Sequence, residues 1–334
     1  MRNMVVICIL LIIGFSYASE INYRFGRGLS VDNRFYLGGY ASFQYEHREN
    51  GYFEYKVDDI AVLGFYRHGK FKIFGELEAK NWYVKRKGEK DEFNLKLHTE
   101  RFYLEYSFNE SFKARVGRFI TPLGIWNQVH INALKWTTSD PVTAEWFYPR
   151  FSTGVDIYGF LPFIDDSTEY HVFIQKTKNI DDGYNNVKTD DFIGFQFKKF
   201  FSINRYLGIN GGRFYDTQFK ETSIFLGIFG YMNIKRFYLM GEGYIAHENE
   251  EHHADYSGRV DKESYYIQTV YRIFSRNYLI VRNEYFKDRS DKGYLNVWTF
   301  GWNYKPLFNI SLKGEYQFFE NRSNRFLASF AVLF

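Results

Sequence analysis

Cysteine is almost missing from the 334 residues, and proline occurs only five times. The single cysteine, Cys8, sits in an N-terminal apolar run. If that run is removed, a disulfide framework, a cysteine nucleophile and a thiolate metal site are all excluded. Long hydrophobic stretches are missing too. The longest, Met4 to Phe15, has twelve residues, short of the ~18 that a membrane-crossing helix needs. Charge of one sign is also lacking: 43 Lys and Arg face 39 Asp and Glu, a formal net charge of +4. That surplus is too small to argue for a nucleic-acid partner.

Aromatic residues are abundant instead. Phe, Tyr and Trp make up 22% of the chain, with 37 Phe, 29 Tyr and 6 Trp. A soluble core does not need so many rings, whereas Tyr and Trp are favoured where apolar and wet surroundings meet. Aromatic excess with a quarter of the residues charged fits a transmembrane β-barrel, whose alternating strands average out as polar. The first residues agree with export. Arg2 is followed by the apolar run and by the small-residue site Ser16-Tyr17-Ala18, which reads as a secretory signal over residues 1–19. The barrel would then occupy 20–334.

No linker, low-complexity tract or strict repeat interrupts the rest. Runs of roughly ten residues recur in which apolar residues alternate with others, the period of a strand with one apolar face. Phe71, Ile73, Gly75, Leu77 and Ala79 oppose Lys72, Glu76, Glu78 and Lys80. Phe308, Ile310, Leu312, Gly314, Tyr316 and Phe318 oppose Asn309, Ser311, Lys313, Glu315 and Gln317. Such runs predict sixteen strands, near 34–47, 57–67, 71–83, 94–107, 112–119, 152–160, 168–177, 191–201, 205–215, 222–232, 237–247, 263–274, 278–287, 294–304, 308–319 and 324–334. An even number is what a single-chain bacterial barrel requires. The connections between them alternate in length, from 48–56 (long) and 68–70 (short) onwards, with both termini on the short-turn, periplasmic side.

The fifth strand ends in Val116-Gly117-Arg118-Phe119-Ile120-Thr121-Pro122-Leu123-Gly124-Ile125-Trp126-Asn127. Pro122 cannot donate to a ladder and Gly124 allows a tight turn, so pairing must stop here. The following loop, 120–151, carries Trp126, Trp136, Trp146, Phe147 and Tyr148 and is too aromatic for disorder. A ring-rich loop of this length beside a lumen is expected to fold inward and narrow it. The chain ends on Phe334, an interfacial ring on the closing strand.

The Gly-Arg-Phe-x-Thr-Pro-x-Gly run, the signal and the terminal Phe resemble porins of the phosphate-selective porin O/P-like family. A long loop after the fifth of sixteen strands is similar to the constriction loop of general porins. The resemblance implies that Phe334 is read by the outer-membrane assembly machinery, that bases guide anions through the pore, and that the assembly is a homotrimer. The nearest match to such a basic track is Lys113, Arg115, Arg118, Lys135 and Arg150 around the long loop.

Other inward positions bring Lys72, Arg101, Arg272, Arg282 and Lys313 against Glu76, Glu78, Glu105, Glu242, Glu284 and Glu315. This near balance can equally well reinforce the wall through cross-strand pairs. His247, Glu248, Glu250, Glu251, His252, His253 and Asp255 cluster in an outer loop, where a solvated loop is favoured over a metal site because no rigid frame fixes the geometry. His47, His98 and His171 lie on strands outside any recognisable serine or aspartate motif, and no nucleotide fingerprint appears.

The reading is therefore an all-β outer-membrane barrel of about sixteen strands, embedded in outer-membrane lipid. It passes small hydrophilic solutes or ions with a weak lean to anions, without cofactor, metal or enzymatic activity. The alternatives are an outer-membrane lipid hydrolase and a closed structural or adhesive barrel.

Overall fold

A computed structural model describes residues 21–94, 96–161, 167–182, 184, 186–250, 262–288 and 294–334. The expected signal segment 1–19, with Cys8, and residues 251–255 of the His/acidic cluster lie outside the described residues.

The elements in chain order begin with β1 (Ile21–Arg24), β2 (Gly28–Val31), β3 (Phe35–Arg48), β4 (Phe53–His68), β5 (Phe71–Arg86), β6 (Glu92–Phe93), β7 (Leu97–Ser107) and β8 (Lys113–Ile120). After the helix α1 (Val142–Trp146) come β9 (Phe151–Phe160), β10 (Thr168–Gln175), β11 (Thr189–Ser202), β12 (Arg205–Asp216), β13 (Glu221–Ile234) and β14 (Phe237–Glu250). The last are β15 (Lys262–Phe274), β16 (Asn277–Asp288), β17 (Tyr294–Leu307), β18 (Ile310–Phe319) and β19 (Arg325–Leu333). Each strand from β3 to β19 except the short β6 pairs antiparallel with its neighbours, and β19 pairs with β3. The result is a closed barrel of sixteen strands with no free edge, which lets every ladder group be satisfied in lipid.

Burial follows the sequence alternation. On β18, Ser311, Lys313, Glu315 and Gln317 are buried, while Leu312 and Phe318 are exposed. On β14, Met240, Glu242, Tyr244 and Ala246 are buried between the exposed Phe237, Leu239 and Ile245. The exposed face is thus the apolar one, as in a barrel whose outside meets lipid. Leu312→Arg is expected to cost roughly 2–4 kcal/mol if it lies near the midplane, visible as a fall in heat-resistant folded protein on a gel.

Two-residue turns join β4 to β5, β11 to β12, β13 to β14, β15 to β16 and β17 to β18. The opposite end carries the longer connections, among them 87–96, 121–150 and 176–188. The first connection differs from the sequence reading: it is 49–52, not 48–56, because β4 begins at Phe53. A register shift between Val57 and Asp59 breaks the alternation there and hides the first residues of β4 from a period-2 pattern.

The strand β2 and the last residue meet on one edge of β3. Phe334 and Gly39 exchange backbone hydrogen bonds of 2.8 Å, and the Phe334 ring lies over Gly39, where a Cβ would come within 2.8 Å of it. Beyond that point β2 takes over the same edge, with Leu29 opposite Leu37 and Val31 opposite Phe35. Removing Phe334 deletes the last backbone pair of the seam and its covering ring. A lower yield of heat-resistant barrel after refolding into lipid is expected, with the deletion assembling more slowly than the parent.

Candidate functional site: the lumen and its inner loop

Pro122 ends the β8 ladder, and residues 121–150 run along the inner face of the wall. Glu242 on β14 holds their start. Its buried carboxylate accepts the backbone N–H groups of Ile125 (3.0 Å) and Trp126 (2.8 Å) and the hydroxyls of Tyr266 (2.7 Å) and Tyr244 (2.9 Å). Gly124 makes this approach possible. Its φ is +65°, and a Cβ would stand 1.9 Å from a Glu242 carboxylate oxygen.

The middle is held in the same way. Glu315 on β18 accepts the N–H groups of Thr138 (2.8 Å) and Ser139 (3.0 Å). Glu284 on β16 accepts the N–H of Val142 (2.9 Å), one of the unpaired donors at the start of α1. Bases serve the carbonyl groups. Lys313 donates to Asn132 (2.7 Å) and Thr137 (3.1 Å), and Arg282 to the Thr137 hydroxyl (2.7 Å), the Ser139 carbonyl (3.2 Å) and the Ser139 hydroxyl (2.6 Å). Charge-assisted bonds of this kind are the strong ones. Five wall charges that alternation places inside therefore bind the segment, and Lys313→Glu would place a carboxylate against two carbonyl oxygens.

Inside the segment, Asp140 receives Lys135 Nζ at 2.6 Å, Arg150 at 3.3 Å and the Trp126 indole N–H at 2.9 Å. Burial raises the Asp140 carboxyl, but Lys135 and Arg150 outweigh it and hold the group well below the usual carboxylate range. His130 pairs with Glu76 at 3.1 Å. Its burial, with Arg101 nearby, pushes the imidazole below its ordinary value despite Glu76.

The segment leaves a polar cavity of about 260 Å³ against the walls of β3, β4, β5, β7 and β19. Asp58 and Asp59 both face it, because the register shift in β4 turns two consecutive residues inward. They are met by Lys56 (2.9 Å), Lys80 (3.4 Å) and the Asn132 amide (2.5 Å to Asp59). A second shift, in the β5–β7 pairing between Glu76 and Leu77, brings in both Glu100 and Arg101. Period-2 reading misses Asp58, Asp59 and Glu100. The signal available was the adjacent acids Asp58-Asp59 inside an otherwise alternating run.

Of the five bases grouped around the long loop, Lys135 and Arg150 line this cavity, and both are tied to Asp140. Lys113, Arg115 and Arg118 do not line it. Arg115 is paired with Asp156 at 2.8 Å. Arg118 stands opposite the lipid-facing Phe102, out of step with Lys113 and Arg115. Its buried guanidinium lies over the Phe151 ring and donates to the carbonyls of Glu100 and Ile180, beneath the 176–188 connection. The wall positions Lys72, Arg101, Glu76 and Glu105 form cross-strand pairs, Arg101–Glu76 at 2.5 Å and Lys72–Glu105 at 3.9 Å.

Among the described residues His98 pairs with Asp181 and His171 with Asp156, each at 3.0 Å. Among the described residues no serine hydroxyl hydrogen-bonds to either ring, and no group of three or more metal-ligating side chains comes together.

The fold is that of an outer-membrane porin-type barrel. OmpF of Salmonella typhi, in complex with daunomycin, superimposes with a TM-score of 0.67 at 12% identity, over 94% of this chain and all of that one. Outer-membrane expressed OmpT of Vibrio cholerae gives 0.65 at 12% identity, over 94% and 100%. An anion-selective porin from Comamonas acidovorans gives 0.63 at 12% identity, over 90% and 99%. The sequence matches no protein-family model and no curated protein.

Proposed function

We propose that the chain, after loss of residues 1–19, is a non-enzymatic outer-membrane channel for passive diffusion of small hydrophilic solutes or ions. The observation that carries this reading is the polar cavity left between residues 121–150 and the β3–β7 wall. A water-filled passage lined by charges needs no cofactor and no energy source. The bound segment sets the size limit. The homotrimer is supported by the likeness to OmpT in its trimer form, at a level of identity that speaks for fold alone. A phosphate-selective role has only the short Gly-Arg-Phe-x-Thr-Pro-x-Gly run behind it.

Ion preference depends on what lines the passage. The lean to anions rests on Lys135 and Arg150, whose charge Asp140 offsets. Against it stand Glu46, Asp58, Asp59, Glu78, Glu100 and Glu145 on the same cavity, with Lys56, Lys80 and Arg325 as the other bases. We therefore favour cations as the faster permeants. A bilayer recording in a potassium chloride gradient checks this: the reversal potential should have the sign of cation preference, most strongly at low salt. Asp59→Asn with Glu100→Gln should move it toward anions, and a parent reversal potential of anion sign would restore the basic residues as the selective ones. Release of fatty acid from vesicles by the purified barrel would favour the hydrolase, and zero conductance the closed barrel.

A further inference from the structure

Among the described residues, exposed acids are distributed unevenly between the two ends of the barrel. At the long-connection end exposed acids (Glu49, Glu89, Asp91, Glu92, Asp182 and Glu320) lie among the bases. Lys176 and Arg213 meet Asp191 (2.6 and 3.4 Å), Lys85 meets Asp91 (3.6 Å) and Lys287 meets Glu263 (3.9 Å), while Lys90, Lys178 and Lys220 stand beside them without an ion pair among the described residues. At the short-turn end the pattern is different. Arg67, Lys70, Arg205, Lys235, Arg236 and Arg276 are all exposed, and among the described residues none of them forms an ion pair. They occupy the four turns β4–β5, β11–β12, β13–β14 and β15–β16.

Each of these turns also carries an outward ring within four residues of its base. Phe71 follows Lys70, Phe201 precedes Arg205, Phe237 follows Arg236 and Phe274 precedes Arg276, and all four rings are more than half exposed. Four separate hairpins thus repeat one arrangement: an apolar ring on the lipid-facing side and, just beyond it, a cation with no carboxylate partner among the described residues, Lys70 and Arg236 donating to the carbonyls of Phe108 (2.9 Å) and Ile273 (3.5 Å). Rings of this kind settle at the boundary between hydrocarbon and headgroups. A long basic side chain there extends its charge into the headgroup layer.

We propose that this rim binds anionic phospholipid headgroups of the leaflet on the short-turn side. The six bases supply the charge, and the four rings set them at phosphate depth. The complementary group is a lipid phosphodiester, a charge that is scarce at this end: Asp32 and Glu110 are the acids exposed there among the described residues. Each base near an anionic surface strengthens association about five-fold, and that gain falls with salt as screening shortens.

The test is native mass spectrometry of the folded full barrel, released from mixed micelles holding equal dioleoyl phosphatidylglycerol and dioleoyl phosphatidylethanolamine. The expected result is at least about five-fold preferential retention of phosphatidylglycerol at low salt, declining toward parity at high salt. Replacing all six bases by Gln should abolish the preference, whereas exchanging Lys and Arg among them should keep it. Lys235→Gln with Arg236→Gln, confined to one turn, serves if the six-fold variant fails to fold, and should lower retention by itself. Lys85→Gln with Lys176→Gln and Lys287→Gln, at the other end, should leave retention unchanged. Equal retention of the two lipids by the parent would overturn the proposal. So would an undiminished preference in the Gln variants, or a loss in the long-connection variant as large as in theirs. Capture of soluble polyglutamate by the parent without any lipid preference would point to an acidic macromolecule and would also overturn it.

Discussion

Glu242→Ala should release the first part of the inner segment while leaving the barrel closed. The substitution leaves two backbone N–H groups, of Ile125 and Trp126, and two tyrosine hydroxyls without the acceptor they share. A buried donor left unmade costs about 1–3 kcal/mol, so four together exceed what a loop of this kind can absorb in place. The wall does not depend on this carboxylate, because its ladder bonds run strand to strand. We expect a heat-resistant barrel with a higher, noisier single-channel current and with Trp126 newly accessible to an aqueous quencher. Glu242→Gln keeps one acceptor oxygen and should fall between. A quiet channel with the parent conductance and a shielded Trp126 in the Ala variant would show that Glu315 and Glu284 hold the segment unaided.

Excising Ala133 to Val142 should have the larger effect on current. The deletion removes Lys135 and Asp140 from the cavity lining, along with the Thr138, Ser139 and Val142 attachments to Glu315 and Glu284. Conductance set by this constriction should rise at least about two-fold, since the passage then loses the middle of the segment that narrows it. The size limit for neutral sugars in liposome swelling should increase with it. Loss of the attachments leaves Glu284, Glu315 and Lys313 facing water, which suits them. The barrel should therefore persist. An unchanged conductance in a deletion shown to be folded would move the constriction away from this segment.

Period-2 alternation was enough to place all sixteen barrel strands and the apolar face of β18. Each strand needs only its own residues to declare which side is apolar, so this part of the fold is local information. What a charge meets on the inside is not local. Lys313, Glu315 and Glu242 were legible as inward, but the loop groups they hold lie more than a hundred residues away. Alternation cannot tell an anchoring carboxylate from one facing water. Arg118 was misplaced for a related reason: its cover comes from residue 180. The acids at 58, 59 and 100 were missed because the extra residue in a shifted ladder resets the count.

The shared edge of β3 has a consequence for how the barrel is dimensioned. A slip of one residue between β19 and β3 would turn every apolar side chain of the closing strand inward and is forbidden by burial. A slip of two keeps inside and outside intact, so alternation by itself tolerates it. Such a slip would change the shear of the sheet, and with it the strand tilt and the bore. β2 already occupies positions 35 to 37, and Phe334 abuts them at Gly39. The amino-terminal hairpin thus acts as a mechanical stop that fixes where the last strand comes to rest. The diameter of the pore is set, in part, by four residues that never line it.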